Sequence, residues 1–206
     1  MLSAQRRRIV FALTVLGAGL SLPAAGADTA GEFAVKGVGR LTCQRFTEAR
    51  SAGSENYSRF VGWIEGYLTA VNRYQPQTHD ILPWESSGLL AFIIENHCQQ
   101  NPAEPFFTVV QQITAKLQDW RLQAKSPQVE ARAGQQTVVV YQEVLRRAQA
   151  ELARRGIYGS TVDGRYDPKT REAFETFQVL EGLDVTGVPD QKTLSRLFAG
   201  QHPLIR

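Results

Sequence analysis

The chain has 206 residues, of which 43% are hydrophobic and 21% are charged, a composition typical of a globular protein. Its 23 Lys and Arg residues against 20 Asp and Glu give a net charge of only +3, which argues against nucleic acid as a partner. The length suits two small domains.

The first 27 residues have the pattern of a secretory signal peptide. Arg6–Arg8 form a basic start, Ile9–Leu22 is apolar, and Ala25–Ala27 reads Ala-Gly-Ala, as signal peptidase sites do. An uncleaved membrane anchor is the alternative, but the apolar run is shorter than the ~20 residues that a span needs. We therefore predict export to the periplasm, cleavage after Ala27, and no membrane span afterwards.

Residues 28–120 are predicted to form a small helical domain. Helical patterns cover Cys43–Arg50, Tyr57–Tyr74, Glu85–Gln99 and Pro105–Trp120. The side chains expected to face the core include Phe60, Trp63, Ile64, Phe92, Ile93, Phe106, Val109 and Trp120. This domain holds 7 basic and 10 acidic residues, so its net charge is −3.

The chain has two cysteines, Cys43 and Cys98. Because export exposes thiols to an oxidising compartment, we predict a disulfide between them, worth about 4 kcal/mol in the chain-entropy model. Two free buried thiols are the alternative. A metal site is disfavoured, since only His97 is near either cysteine.

Residues 121–137 are predicted to be a flexible linker. They include Pro127, Gly134 and several Gln and Ala residues. We therefore expect the domains on either side, 28–120 and 138–206, to be independent.

The last third of the chain contains an internal repeat. Asp163–Thr170 and Thr186–Thr193 share a Gly turn, an Asp near a Pro and a Lys-Thr pair, with Gly164 and Gly187 lying 23 positions apart. Glycine at these two turns indicates backbone with positive φ, which a Cβ would penalise.

Three helical patterns surround the repeated turns. Gly156, Gly182 and Gly200 stand where the C-terminal caps of these helices belong. Asp167 and Asp190 are expected to cap the second and third helices at their N-termini. Phe174 and Phe177 are expected in the core between them.

This repeat resembles the peptidoglycan-binding domain type 1. The residues that carry the resemblance are Leu145–Gln149, Leu152, Gly156–Tyr158, Val162–Gly164, Tyr166, Thr170, Ala173, Phe177–Gln178, Gly182–Leu183, Val185–Gly187 and Thr193–Leu194. It implies a three-helix module built on a duplicated helix–turn unit, which cell-wall enzymes and envelope proteins carry.

The same resemblance implies a peptidoglycan groove between the two copies. Its rim would comprise Tyr158, Asp163, Arg165, Tyr166 and Thr170. Tyrosine rings stack on sugars or pack on stem peptides, and Arg165 can pair with a stem-peptide carboxylate. The alternative for Tyr158 and Asp163 is that they only hold the turn.

A second resemblance covers the N-terminal domain. Its residues are Cys43, Phe60–Tyr67, Leu89–Glu95, His97–Cys98 and Asn101–Pro102. They resemble the HdeA/HdeB-like periplasmic helical proteins, whose best-known members are acid-stress chaperones. They are also similar to the Tai-type periplasmic immunity proteins, which share a Cys-bridged helical layout.

No catalytic constellation is visible in the sequence. His79, His97 and His202 lie far apart, no nucleophile or carboxylate pair accompanies them, and Glu65 is a single acid on an amphipathic helix. We therefore predict no enzyme activity, no cofactor and no bound metal.

These observations predict an all-α fold with one disulfide and a non-catalytic periplasmic function. The C-terminal domain would bind peptidoglycan, and the N-terminal domain would bind an envelope protein or an unfolded client. The alternatives are an acid-activated chaperone and a hydrolase, or a regulator of cell-wall hydrolysis, whose site the sequence does not reveal.

Overall fold

A computed structural model describes residues 27–205. The predicted signal peptide lies outside the described residues, except for Ala27. The chain divides into two units, Met1–Ala34 and Val35–Arg206. In the described part of the first unit, the Asp28 carboxylate accepts hydrogen bonds from the backbone N–H groups of Ala30 and Glu32.

The second unit is mostly helical. In chain order it contains a 3-10 helix at Gly37–Arg40, then α1 Cys43–Ser51, α2 Glu55–Tyr74, α3 Ser87–Gln100, α4 Phe106–Lys116, β1 Gln128–Ala133, β2 Gln136–Tyr141, α5 Gln142–Arg154, α6 Pro168–Leu180 and α7 Gln191–Leu197. The helical content is confirmed. The all-α expectation needs one correction, because the two strands form a sheet.

Helices α1 to α4 enclose the first core. At its centre Phe46, Phe60 and Phe106 contact one another with ring centroids 4.8–5.3 Å apart. Each ring is buried, and fully burying such a side chain stabilises a fold by about 1.5–3 kcal/mol. The three phenylalanines therefore join α1, α2 and α4 into one body.

The predicted disulfide is confirmed. Cys43, the first residue of α1, is bonded to Cys98 in α3, and both residues are fully buried. The backbone N–H of Cys43 also donates to the carbonyl of Glu104, in the loop that follows α3. The start of α1 is thus held both covalently and by the backbone.

Strand β1 and the first two residues of β2 lie in residues 121–137, which the sequence predicts to be a flexible linker. Strands β1 and β2 pair antiparallel, from Gln128 opposite Tyr141 to Ala133 opposite Gln136. Ala131 and Val140 are buried, so one side of the hairpin faces the core. The composition is polar, but the period of two in burial is that of a half-buried strand.

Two aromatic side chains, Trp120 and Phe92, lie elsewhere than the helical patterns predict. Helix α4 ends at Lys116, so Trp120 lies beyond it and packs against the second core. Phe92 on α3 is about half exposed rather than inward. The predicted helix Pro105–Trp120 is therefore too long at its C-terminal end, and the inward placement of Phe92 is wrong, because tertiary packing overrides the helical pattern.

Helices α5, α6 and α7 enclose the second core. Phe174, Phe177 and Phe198 are buried in it, the first two as predicted. Trp84 and Trp120, from the helical part that precedes the hairpin, pack against the same core. No helix among residues 27–205 is long and apolar enough to cross a membrane.

A cluster of three buried and two partly buried side chains, which we call the aromatic junction, joins the two cores. It comprises Trp84, Glu85, Trp120, Phe198 and His202. The rings of Trp84 and Trp120 lie 5.3 and 4.8 Å from the His202 ring. Within this enclosure a His202 nitrogen, Nε2, lies 2.7 Å from Oε1 of Glu85, with side chains 0% and 1% exposed.

Further contacts continue the junction at its edges. The backbone N–H of Ser86 donates to Oε1 of Gln191 (2.7 Å), and Arg147 donates to the carbonyl of Trp120 (2.6 Å). Residues 121–137 therefore do not separate two independent bodies, which differs from the expectation of a tether. The reason is that the loop before α3 presents Trp84 and Glu85 to α7 and the residues after it.

Candidate functional site

Each repeated turn is organised by one buried glutamine from the helix that precedes it. In the first copy Oε1 of Gln149 accepts from the backbone N–H of Gly164 (2.7 Å), and its Nε2 donates to the Arg165 carbonyl and to Oγ1 of Thr170. The amide thus satisfies three polar groups of the turn while fully buried.

The second copy repeats this arrangement with Gln178. Its Oε1 accepts from the backbone N–H of Gly187 (2.8 Å), and its Nε2 donates to the Val188 carbonyl and to Oγ1 of Thr193. Both turns have glycine with positive φ, 73° at Gly164 and 70° at Gly187. The duplicated turn predicted from the sequence is therefore confirmed.

The predicted caps hold the helices that follow the turns. The Asp167 carboxylate accepts from the backbone N–H of Thr170 (2.7 Å), and the Asp190 carboxylate accepts from that of Thr193 (2.8 Å). The hydrogen bonds from Thr170 hold the pKa of Asp167 below its usual range. The turns are thus rigid supports for side chains on the surface.

Two of the five residues predicted to rim a groove are buried. Tyr158 is 6% exposed and Thr170 is 0% exposed. The Tyr158 hydroxyl donates to the Thr161 carbonyl (2.9 Å), and Gln149 donates to both hydroxyl groups. Tyr158 and Thr170 therefore do not rim a groove as predicted, because a buried side chain that holds a turn presents no surface to a ligand.

Asp163 and Arg165 lie on the surface of the first turn. The Asp163 carboxylate accepts from the backbone N–H of Arg165 (2.9 Å), while the two side chains lie 3.8 Å apart at their nearest charged atoms. The Arg165 side chain is 81% exposed. Asp163 thus has a turn-holding contact, and Arg165 is free to reach a ligand.

Tyr166 connects the two copies. Its hydroxyl donates to the carbonyl of Gly187 in the other turn (2.7 Å), and burial raises its pKa above the usual value. Tyr166 is partly exposed and lines a shallow depression of about 190 Å³. This depression, which we call the Tyr166 pocket, is lined by Arg132, Tyr166, Asp167, Pro168 and Arg171.

The two arginines of the Tyr166 pocket were not among the predicted site residues. Arg132 lies on β1, in the segment expected to be a linker, and Arg171 lies on α6. Each has one exposed carboxylate neighbour, Glu130 at 2.5 Å and Glu175 at 3.3 Å. Such surface pairs are worth little, so both guanidinium groups are available to an anionic ligand.

A buried carboxylate on α5, that of Glu151, stabilises the module away from the repeated turns. Burial acts to raise the pKa of Glu151, but hydrogen bonds from Arg154, Arg155 and Gln201 outweigh it and lower the pKa to about 2. Arg155 also donates to the Leu197 carbonyl (2.8 Å), so this charge ties α5 to α7. These contacts are structural and lie outside the Tyr166 pocket.

Among residues 27–205, no cluster of three or more His, Cys, Asp or Glu side chains is arranged to hold a metal ion. The three histidines stand apart from one another. His97 contacts Glu104 (2.7 Å), His202 contacts Glu85, and the His79 ring lies 6.0 Å from the Tyr141 ring.

Comparison with known families finds a match for the repeat. Residues 142–197 match the putative peptidoglycan binding domain. The matched module begins with α5 and ends with α7, so it contains both glutamine-held turns and excludes the hairpin. No curated protein and no solved structure matches the chain. The resemblance of the N-terminal part to HdeA/HdeB-like proteins stays a prediction.

Proposed function

We propose that this chain is a non-catalytic protein of the periplasm that holds peptidoglycan through its C-terminal module and a protein partner through its N-terminal helical part. The match over residues 142–197 supports the first half. The second half is supported by an N-terminal part that has its own disulfide-bonded core and a surface groove lined by Arg40, Arg45 and Arg59.

The observation that carries the peptidoglycan half is the Tyr166 pocket. Peptidoglycan combines sugars with short peptides that bear free carboxylates. Tyr166 offers an aromatic face for a sugar ring or a peptide stem, and Arg132 and Arg171 offer guanidinium groups to a carboxylate. Arg165, exposed on the preceding turn, extends the same positive surface.

The remaining predicted residues act behind this surface. Tyr158 and Thr170 hold the first turn through Gln149, and Asp163 holds it through the backbone of Arg165. These three residues therefore keep Tyr166 in place and do not themselves contact the ligand. A ligand that meets a rigid site loses less free energy to ordering than one that meets a mobile loop.

Export is the second requirement of the proposal. The sequence pattern of residues 1–27 supports it, and the disulfide between two fully buried cysteines is consistent with an oxidising compartment. Peptidoglycan and an oxidising environment occur together in the periplasm. Fractionation of cells, followed by detection of the chain in the periplasmic extract, checks this part.

The binding test is co-sedimentation with purified insoluble peptidoglycan. We expect Tyr166→Ala and Arg171→Gln each to weaken binding about tenfold, which corresponds to about 1.4 kcal/mol. Tyr166→Phe keeps the ring and loses only the hydroxyl contact with Gly187, so it should bind nearly as well. Tyr74→Ala, which removes an exposed tyrosine of α2, serves as the control.

If Tyr166→Ala and Arg171→Gln sediment as the parent protein does while circular dichroism shows all variants folded, the Tyr166 pocket is not the site. Release of soluble muropeptides during the same incubation would show hydrolysis and contradict a purely binding function.

A further inference from the structure

A groove in the N-terminal part concentrates positive charge. It lies between the 3-10 helix, α1 and the first turns of α2, and encloses about 530 Å³. Ligand pockets generally measure about 300–1,000 Å³. We call it the basic groove; its charged lining residues are Arg40, Arg45, Glu48 and Arg59.

This charge is opposite to that of the surrounding region. Residues 28–120 hold 7 basic and 10 acidic side chains, yet three of the basic ones and only one of the acidic ones line the groove. Glu55, in the first turn of α2, is a further acid on these elements but does not line the groove. The concentration is therefore local.

Two of the three arginines lack an internal anion. Arg45 pairs with Glu48 at 2.7 Å. Within residues 27–205, the side chains of Arg40 and Arg59 make no hydrogen bond or ion pair, and both are exposed. An external carboxylate can therefore approach either guanidinium without displacing a partner.

The floor of the basic groove is apolar. Its apolar lining residues are Val38, Leu41, Ala49 and Phe60, of which Leu41 is exposed and Val38 partly exposed, while Ala49 and Phe60 are buried behind them. A free anion such as phosphate would use the arginines and leave this floor in water. A peptide that alternates acidic and apolar side chains would satisfy both, because apolar area removed from water stabilises by about 25 cal/mol per Å².

We propose that the basic groove docks an acidic, partly apolar peptide segment of a partner protein. The carboxylates of the segment face Arg40 and Arg59, and an apolar side chain rests against Leu41 and Val38. This inference rests on the partner-binding half of the proposed function and is independent of the peptidoglycan half.

Calorimetric titration of the full secreted chain tests the chemistry of the ligand. The probe is an acetylated and amidated octapeptide of alternating Glu and Leu; matched peptides replace Glu by Gln or by Lys. We expect the Glu peptide to bind at least tenfold more tightly than the other two, and less tightly as salt rises. Equal binding of the Gln peptide, or displacement of the Glu peptide by millimolar inorganic phosphate, overturns the proposal.

Variants test the location. Arg40→Gln or Arg59→Gln should weaken binding of the Glu peptide about fivefold, and the double variant more than tenfold. Arg73→Gln, an exposed arginine of α2 outside the groove, is the matched control and should bind as the parent does. Unchanged affinity in the folded double variant overturns the proposal.

Sedimentation of the double variant with peptidoglycan separates the two halves of the function. We expect it to equal that of the parent. A parent chain that takes up the Glu peptide but does not sediment would reject peptidoglycan binding and leave the groove in place. A parent chain that sediments but takes up no peptide would reject the groove alone.

Discussion

The helical part from Cys43 to Leu117 and the matched module from Gln142 to Leu197 are held together by different kinds of contact. The first relies on a disulfide and a cluster of phenylalanine rings that joins distant helices. The second also buries phenylalanines, but it adds buried amides, carboxylate caps and ion pairs that hold its repeated turns and helices. Apolar packing tolerates many sequences of the right volume, whereas a hydrogen-bonded turn requires particular residues.

The match over residues 142–197 covers the region that depends on particular residues. The positions that hold the turns, such as Gly164, Gln178 and Thr193, each satisfy a specific donor or acceptor. The stripes of α2 and α4 need only be apolar at helical spacing.

The largest effect is expected from removing the disulfide, the covalent contact of the helical part. Replacing Cys43 and Cys98 together by Ser should lower the free energy of unfolding by about 4 kcal/mol, because the disulfide closes a loop of 55 residues. Calorimetry should show one transition that moves as a whole, since the aromatic junction couples the two cores. Two transitions, of which one is unchanged, would show that the regions unfold independently.

The next variant breaks the link between the regions. His202→Ala leaves the Glu85 carboxylate buried without its partner, which should cost about 3 kcal/mol. We expect the single transition to split, with the helical part and the module melting separately. The Glu85→Leu and His202→Leu double variant restores apolar packing and should recover most of the loss; the same loss in both proteins would contradict the buried pair.

A third variant sharpens the account of the turns. Gly164→Ala should cost about 2.5 kcal/mol, because its φ is positive and a Cβ would lie 2.4 Å from the backbone oxygen of Gln142. Gly156→Ala is the matched control, since its φ is +74° but nothing lies within 4 Å of the added atom. We expect that control to cost about 1 kcal/mol in urea unfolding; equal costs would reject the close approach.

The smallest expected effect concerns pH. The pKa of Glu151 is about 2 in the folded chain against an ordinary 4.5, so its contribution is complete above pH 4.5 and is lost as pH falls towards 2. Allowing for the exposure of Arg154, that contribution is about 2 kcal/mol. Glu151→Gln should flatten the acid limb of the stability curve, whereas Glu172→Gln, on the exposed side of α6, should leave it unchanged.

Local signals in the sequence were sufficient for several features. The two turn glycines, the caps at Asp167 and Asp190, and the bond between Cys43 and Cys98 follow from spacing and residue chemistry. Each depends on groups close in sequence or, for the cysteines, on there being only one possible pair. Such features can be predicted before any packing is known.

Other features depend on tertiary packing. The hairpin escaped prediction because β1 has the composition of a linker, and only the burial of Ala131 distinguishes it. The Tyr166 pocket needs Arg132 from that hairpin, so its lining could not be foreseen either. Gln149 and Gln178 make equivalent hydrogen bonds to the two turns, but they lie 15 and 9 residues before the turn glycines. Because the spacing differs, no fixed offset in the sequence identifies them.

The aromatic junction also bears on the order in which the chain folds. Its pair joins residues 85 and 202, whereas the turn contacts close loops of 15 and 9 residues. Because the entropy cost of closure rises with loop length, we expect the glutamine-held turns to form early and the junction to form late. Until then Trp84 and Trp120 remain in water, so their fluorescence should report the last step of folding rather than the collapse of either core.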